Sequence, residues 1–150
     1  MTTWRRLEPW DALPVYTLMR AFYDRRIGAG EVPDARIWDS IGRCTGDYPH
    51  MEGWAVFEDQ TLAGYAMLSR VYDPGEGTEH LLLQEFYIDK PFRAAGCGPG
   101  FLRALPSLYP GCGRILIPDT APEGVWRPLG YRRTAVLYGA VCPSAGKTAP

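Results

Sequence analysis

The segment that most constrains the fold runs from His80 through Leu81-Leu82-Leu83-Gln84-Glu85-Phe86-Tyr87 to Ile88. Apolar side chains fall on both of its alternating faces, as they do in a strand covered on two sides. It is expected to be the central strand of a sheet. The connector Asp89-Lys90-Pro91-Phe92 follows, then the glycine loop Arg93-Ala94-Ala95-Gly96-Cys97-Gly98-Pro99-Gly100, then a helix suggested by Phe101, Leu102, Leu105 and Leu108 that Pro106 should kink or end early. Glycines between a strand and a helix let the backbone approach a ligand. The amides of the helix's first turn then form an anion site fit for a diphosphate. A plain turn that needs glycine would look the same.

The rest of the chain supplies the other layers. Val15, Leu18, Met19 and Phe22 give an amphipathic helix over Asp11 to Arg26 with Asp11 as cap. After Gly28-Ala29-Gly30, Pro33 opens a shorter one carrying Ile37 and Ile41 to about Arg43. Trp54 to Phe57 and Leu62 to Arg70 read as antiparallel strands about the turn Glu58 to Thr61. Arg114 to Ile117 is a short strand stopped by Pro118, Val125 to Leu129 a helical turn, and Tyr131 to Val141 a last strand. The pattern predicts a mixed α/β sheet flanked by helices. With 150 residues, 46% of them hydrophobic, there is material for one core, so a single domain over 1–142 with a loose tail at 143–150 is expected.

Charge and cysteine content narrow the function classes. Sixteen basic against 17 acidic residues leave a net charge of −1, which lacks the electrostatic footprint of a nucleic-acid or anionic-membrane binder. No apolar stretch is long enough to span a membrane, and Met1 to Arg6 lacks the apolar run of a secretion signal, so a soluble cytoplasmic protein is expected. Cys44, Cys97, Cys112 and Cys142 are widely spaced, with only His50 and His80 as histidines, which reads as free thiols and no metal site.

Two families compete for the glycine loop. Gly96-Cys97-Gly98-Pro99-Gly100 resembles the first motif of S-adenosylmethionine-dependent methyltransferases, with Asp119 where their ribose-binding acid lies. That motif follows directly on a buried parallel strand, whereas Pro91 and its charged neighbours precede the loop here, and the 50 residues after Gly100 are too few for a doubly wound sheet. The second resemblance covers roughly residues 4 to 141. The strand ending at Ile88 followed by Arg93-x-x-Gly96-x-Gly98 is similar to the coenzyme A signature Q/R-x-x-G-x-G/A of the GNAT acyltransferase superfamily. Ala63-Gly64-Tyr65 in the hairpin and the closing Trp126-Arg127-Pro128-Leu129-Gly130-Tyr131 extend the likeness.

This resemblance implies a mostly antiparallel sheet with splayed fourth and fifth strands, and acyl transfer from acetyl-CoA or another acyl-CoA to a small-molecule or peptide amine. It implies that the backbone of Phe86, Tyr87 and Ile88 holds the pantetheine arm. The amides of Ala94, Ala95, Gly96, Cys97 and Gly98 would wrap the pyrophosphate, and Arg93 would add charge to a phosphate or stay a solvated arginine. Asp119 lies where relatives carry a pantetheine-contacting Asn. Glu85 interrupts an apolar strand, where a carboxylate is costly unless paired or used, and is the candidate general base; the alternative is an ion pair with an arginine. Strand alternation places Glu85 with Leu83 and Tyr87, and Gln84 with Leu82 and Phe86. Trp126 stands where many relatives have a catalytic Tyr, and an indole is too weak an acid to replace it. Tyr131 and Tyr138 are the nearest tyrosines. The acceptor cleft implied by the resemblance is lined by Tyr23, Trp38 and Gln84, with Glu31, Asp34 and Asp39 nearby, or these form an ordinary amphipathic surface. Relatives are often dimers. A catalytically idle acyl-CoA-binding module is the alternative function.

Overall fold

The computed structural model describes residues 1–119, 121–135 and 139–143. The chain divides into two units, 1–119 and 120–150. The first contains β1 (Thr2–Arg6), α1 (Ala12–Arg26), α2 (Asp34–Thr45), β2 (Met51–Glu58), β3 (Thr61–Asp73), β4 (Thr78–Ile88), α3 (Cys97–Ala104) and β5 (Ile115–Leu116). The sheet order is β1-β2-β3-β4-β5, antiparallel throughout except for the parallel β4–β5 pair. The middle strand is therefore β3. The segment expected at the centre, β4, is next to the edge, and its two apolar faces are explained by helices on both sides of the sheet. A doubly wound parallel sheet, which the methyltransferase motif requires, is not what this chain forms.

One face of the sheet packs Ala55, Tyr65, Met67 and Tyr87 against Val15, Leu18 and Met19 of α1 and Ile37, Ile41 and Cys44 of α2. The other is aromatic. Phe101 of α3 stacks on Phe86 at 5.6 Å, and Trp4 and Trp54 flank it edge-on or tilted. The indole of Trp54 donates to the Tyr109 hydroxyl at 2.7 Å, satisfying the buried N–H. Deleting Phe101, which is fully buried, would cost about 3–5 kcal/mol.

Several boundaries differ from the expected ones for identifiable reasons. Asp11 sits at the start of α1 but does not cap it: Arg5 grips its carboxylate at 2.6 and 2.9 Å, and the amide of Glu8 donates to it at 2.8 Å. Those bonds hold the acid well below the usual carboxylate range, the Arg5 hydrogen bond being the larger cause. Pro33 is extended and precedes α2, which continues to Thr45. α3 stops at Ala104 because Leu105 precedes a proline, and Leu105–Leu108 continue as a 3-10 turn. β2 and β3 are joined by Asp59 and Gln60, both with positive φ (48° and 69°), the geometry of a tight two-residue hairpin.

The second unit has α4 (Glu123–Trp126) running into a 3-10 turn over Arg127–Leu129, ended by Gly130 at φ 92°. The strand expected over Tyr131 to Val141 is absent from its described residues; 136–138 and the tail from 144 onward lie outside them. No disulfide joins the four cysteines. Among the described residues no helix is long and apolar enough to cross a membrane.

Candidate functional site

The site begins where β4 loses a partner. β4 pairs with β5 only at Leu81↔Ile115 and Leu82↔Leu116, although β4 continues to Ile88. Pro118, two residues beyond β5, could not have extended the ladder. Among the described residues, β4 from Leu83 onward is bonded on one side alone, to β3. The direction of its free groups follows from its bonds. The Asp89 amide donates to the Ala63 carbonyl of β3 at 2.7 Å. Gly64 lies so close to β4 that a Cβ there would fall 2.2 Å from the Tyr87 carbonyl oxygen, which explains the glycine. Alternation then turns the N–H and C=O of Phe86 and Ile88 out of the open edge. The Tyr87 backbone is spent on β3 and cannot hold a ligand arm, which removes that residue's backbone from the expected contacts.

A β-bulge shapes the same stretch. Met67 faces Glu85 while Leu68 faces Leu83, leaving Gln84 as the unpaired extra residue. Strict alternation therefore fails. Leu83 belongs to the α3 face with Leu68, and Gln84 joins Glu85 on the face covered by α1 and α2, where it pairs with the Ser69 hydroxyl.

Glu85 is half-buried and forms no ion pair among the described residues. The alternative reading for Glu85, an arginine ion pair, is not what the described residues form. Its partners are phenols: Tyr65 donates to Oε1 at 2.9 Å, and Tyr23 of α1 donates to Oε2. Burial, then the Glu85 hydrogen bond, holds the Tyr23 hydroxyl above the ordinary phenol range; for Tyr65, burial again leads, followed by the charge of Glu85. Both phenols are thus donors over the whole neutral range, and the Glu85 carboxyl group is fixed at its head by two elements. Tyr87 packs beside this group against Phe22 at 5.4 Å, and its hydroxyl donates to Asp89.

Of the other expected acceptor residues, Trp38 does not join this group. It stacks on Tyr16 at 4.5 Å. Asp34 is bound by Tyr16 and Arg20, and Asp39 by Arg43, so the acidic aromatic pocket is replaced by a surface network. Tyr65 was missed by sequence reasoning as a site residue. Its signal was a phenol inside an otherwise apolar strand, which needs a partner when buried.

Beyond the open edge lies the glycine turn. Lys90–Ala95 form a 3-10 turn, Gly96 takes the left-handed conformation at φ 81°, and α3 begins at Cys97. Ala94, Ala95 and Gly96 are exposed, as a cradle must be, whereas Cys97 is fully buried with its thiol on the Phe92 carbonyl, which excludes a nucleophilic role. Gly98 packs on β4: a Cβ there would meet Ile88 at 3.4 Å and the Phe86 ring at 3.7 Å. The first α3 turn is thereby seated on the side chains at the end of β4, and the exposed backbone ahead of it is of the kind that can carry an anion. Arg93 donates through Nε to the Ile88 carbonyl at 2.9 Å. Asp119 is exposed beyond β5. In the second unit Trp126 meets Tyr131 edge-on at 5.9 Å, and burial pushes the Tyr131 phenol up to about 12. Tyr138 lies outside the described residues.

A separate hollow of about 300 Å³ is lined in part by Thr45, Tyr48, Arg6, Glu52 and Arg70. Glu52 is held there between the two arginines, and with Asp47 also in the lining the local charges sum to zero.

No protein-family model and no curated protein sequence matches the chain. Solved structures do. A possible acetyltransferase from Clostridium difficile 630 superposes with a TM-score of 0.81 at 10% identity, covering 96% of this chain and 99% of that one. An aminoglycoside acetyltransferase from an uncultured soil metagenomic sample gives 0.68 at 17% identity over 95% and 99%. AAC(6')-Iy, solved with the bisubstrate analogue CoA-S-monomethyl-acetylneamine, gives 0.70 at 19% identity over 95% and 99%. Likeness at this level of identity is a likeness of fold, and the fold is one this chain shares with these acetyltransferases.

Proposed function

We propose that the chain is an acyl-CoA-dependent N-acyltransferase acting on an amine that is cationic in solution, with Glu85 as general base. The observation that carries this reading is the placement of Glu85: a carboxylate beside the open edge of β4, without an ion-pair partner among the described residues and held by two neutral phenols. An ammonium is the natural complement of such a group, and the carboxylate then takes its proton, directly or through water. Acyl-CoA supplies an activated acyl group when bound, and acetyl-CoA is the simplest case. The outward N–H and C=O groups of Phe86 and Ile88 would hold its arm as an added strand. The amides from Ala94 to Gly98 would hold the diphosphate. No tyrosine occupies position 126, so the reading relies on the thiolate being a competent leaving group without a dedicated acid.

The acceptor class follows from the carboxylate and two phenols, and the small-molecule amines of the superposed aminoglycoside acetyltransferase are the first set to try. The test measures thiol release from acetyl-CoA across an amine panel. Glu85→Gln should lower kcat/KM about 100-fold or more while leaving the CoA Kd unchanged. Equal turnover in the variant overturns the base assignment. CoA binding without turnover on any amine leaves the idle acyl-CoA-binding module as the better reading.

A further inference from the structure

The inference rests on the acyl-CoA reading above and concerns the side chain of Arg93. The Ile88–Asp89 peptide is trans and its N–H points into β3, so the Ile88 carbonyl points out of the open edge. An arm adding to β4 as a strand needs that acceptor for one of its amide N–H groups. It is already engaged. Arg93 Nε donates to it at 2.9 Å, with the guanidinium carbon 5.6 Å from the centre of the Tyr87 ring. Arg93 is exposed and directly precedes the cradle of Ala94 to Gly96.

We propose that Arg93 is a latch with two alternative partners, the Ile88 carbonyl when the cleft is empty and the phosphates of coenzyme A when it is filled. A guanidinium–phosphate contact is charged on both sides and can be bidentate, whereas the carbonyl is a neutral acceptor taking a single N–H, so the phosphates draw the side chain away. The same movement frees the strand edge for the arm. A ligand with the same arm but no phosphate must displace Arg93 with nothing in return. The latch therefore couples phosphate recognition to arm binding, and selects complete coenzyme A against phosphate-free pantetheine thioesters.

Calorimetry with CoA and amide chemical-shift titration with pantetheine, on wild type, Arg93→Ala and Arg93→Gln, test this. CoA should bind Arg93→Ala about 10- to 100-fold more weakly, and pantetheine about two- to ten-fold more tightly, than they bind wild type. Arg93→Gln keeps a donor for the carbonyl but no charge, so CoA should weaken and pantetheine should stay as in wild type. Pantetheine binding that is unchanged or weaker in Arg93→Ala, while CoA binds wild type, overturns the latch. If Arg93→Ala does not fold, the glutamine variant decides: parallel loss of both ligands overturns the proposal, and loss of CoA alone supports it. Failure of CoA to bind wild type overturns the acyl-CoA reading instead.

Discussion

Glu85 owes its geometry to residues distant in sequence. Its position inside an apolar strand made it legible, since a carboxylate there must have a partner or a use, but its partners lie 62 and 20 residues away on α1 and β3. Local pattern carries no record of such pairs, which is why an arginine stood as the alternative partner and Trp38 as an expected neighbour. The two phenols should have separable roles. Tyr65 is fully buried and bridges strands. Tyr65→Phe should lower stability by about 1 kcal/mol and kcat/KM about tenfold, with CoA affinity unchanged; an unchanged kcat/KM would show that the Tyr65 hydroxyl contributes nothing to positioning the carboxylate. Cys44 lies in the same core, and burial pushes its thiol from 9.0 up to about 12. The folded state thus holds a proton that the unfolded chain releases above pH 9. Its contribution is complete below pH 9 and is lost as pH rises toward 12. Urea unfolding of Cys44→Ala across that range should show a shallower loss of stability with pH than wild type, whatever the variant's stability at neutral pH.

At the scale of elements, spacing was informative where backbone chemistry is local and failed where it depends on pairing. The order of helices and strands, the hairpin at Asp59 and Gln60 and the end of α3 ahead of Pro106 all follow from residue types acting on their own backbone. The bulge at Gln84 does not: a period-two reading assumes an unbroken ladder, and only the β3 register reveals the extra residue. The direction of the Ile88 carbonyl depends on the same pairing. Two of the loop's three glycines, Gly96 and Gly98, do different things in space. Gly96 needs its left-handed backbone but has open space around it, so Gly96→Ala should cost about 1–2 kcal/mol of stability and weaken CoA binding by distorting the cradle. Gly98 is helical, and an alanine there meets Ile88 and Phe86 at ordinary contact distance, so Gly98→Ala should retain both fold and CoA binding while Gly98→Val loses the latter. Paired titrations of CoA into the three variants check this, and equal effects of Ala at both positions would contradict it.

For the whole molecule, an anion site built from backbone needs no basic patch, which accords with the near-neutral charge. The chain carries −1 overall, and the exposed cradle at Ala94 to Gly96 contributes no charge of its own, leaving Arg93 as the cation adjoining it in sequence. Most of the attraction for phosphates would then come from amides and the start of α3, which act at short range and resist screening better than a basic surface does. Two consequences can be measured together. CoA at about 100 times its Kd should stabilise the folded state by about 2.7 kcal/mol, which for a chain of this size raises Tm by roughly 5–10 °C, whereas S-adenosylmethionine should leave Tm unchanged. Repeated between low and high salt, the CoA shift should fall only slightly in wild type, because just one mobile cation contributes, and should become nearly salt-independent in Arg93→Gln. A steep loss of the shift with salt in both proteins would mean that other basic side chains, and not the glycine turn, hold the coenzyme.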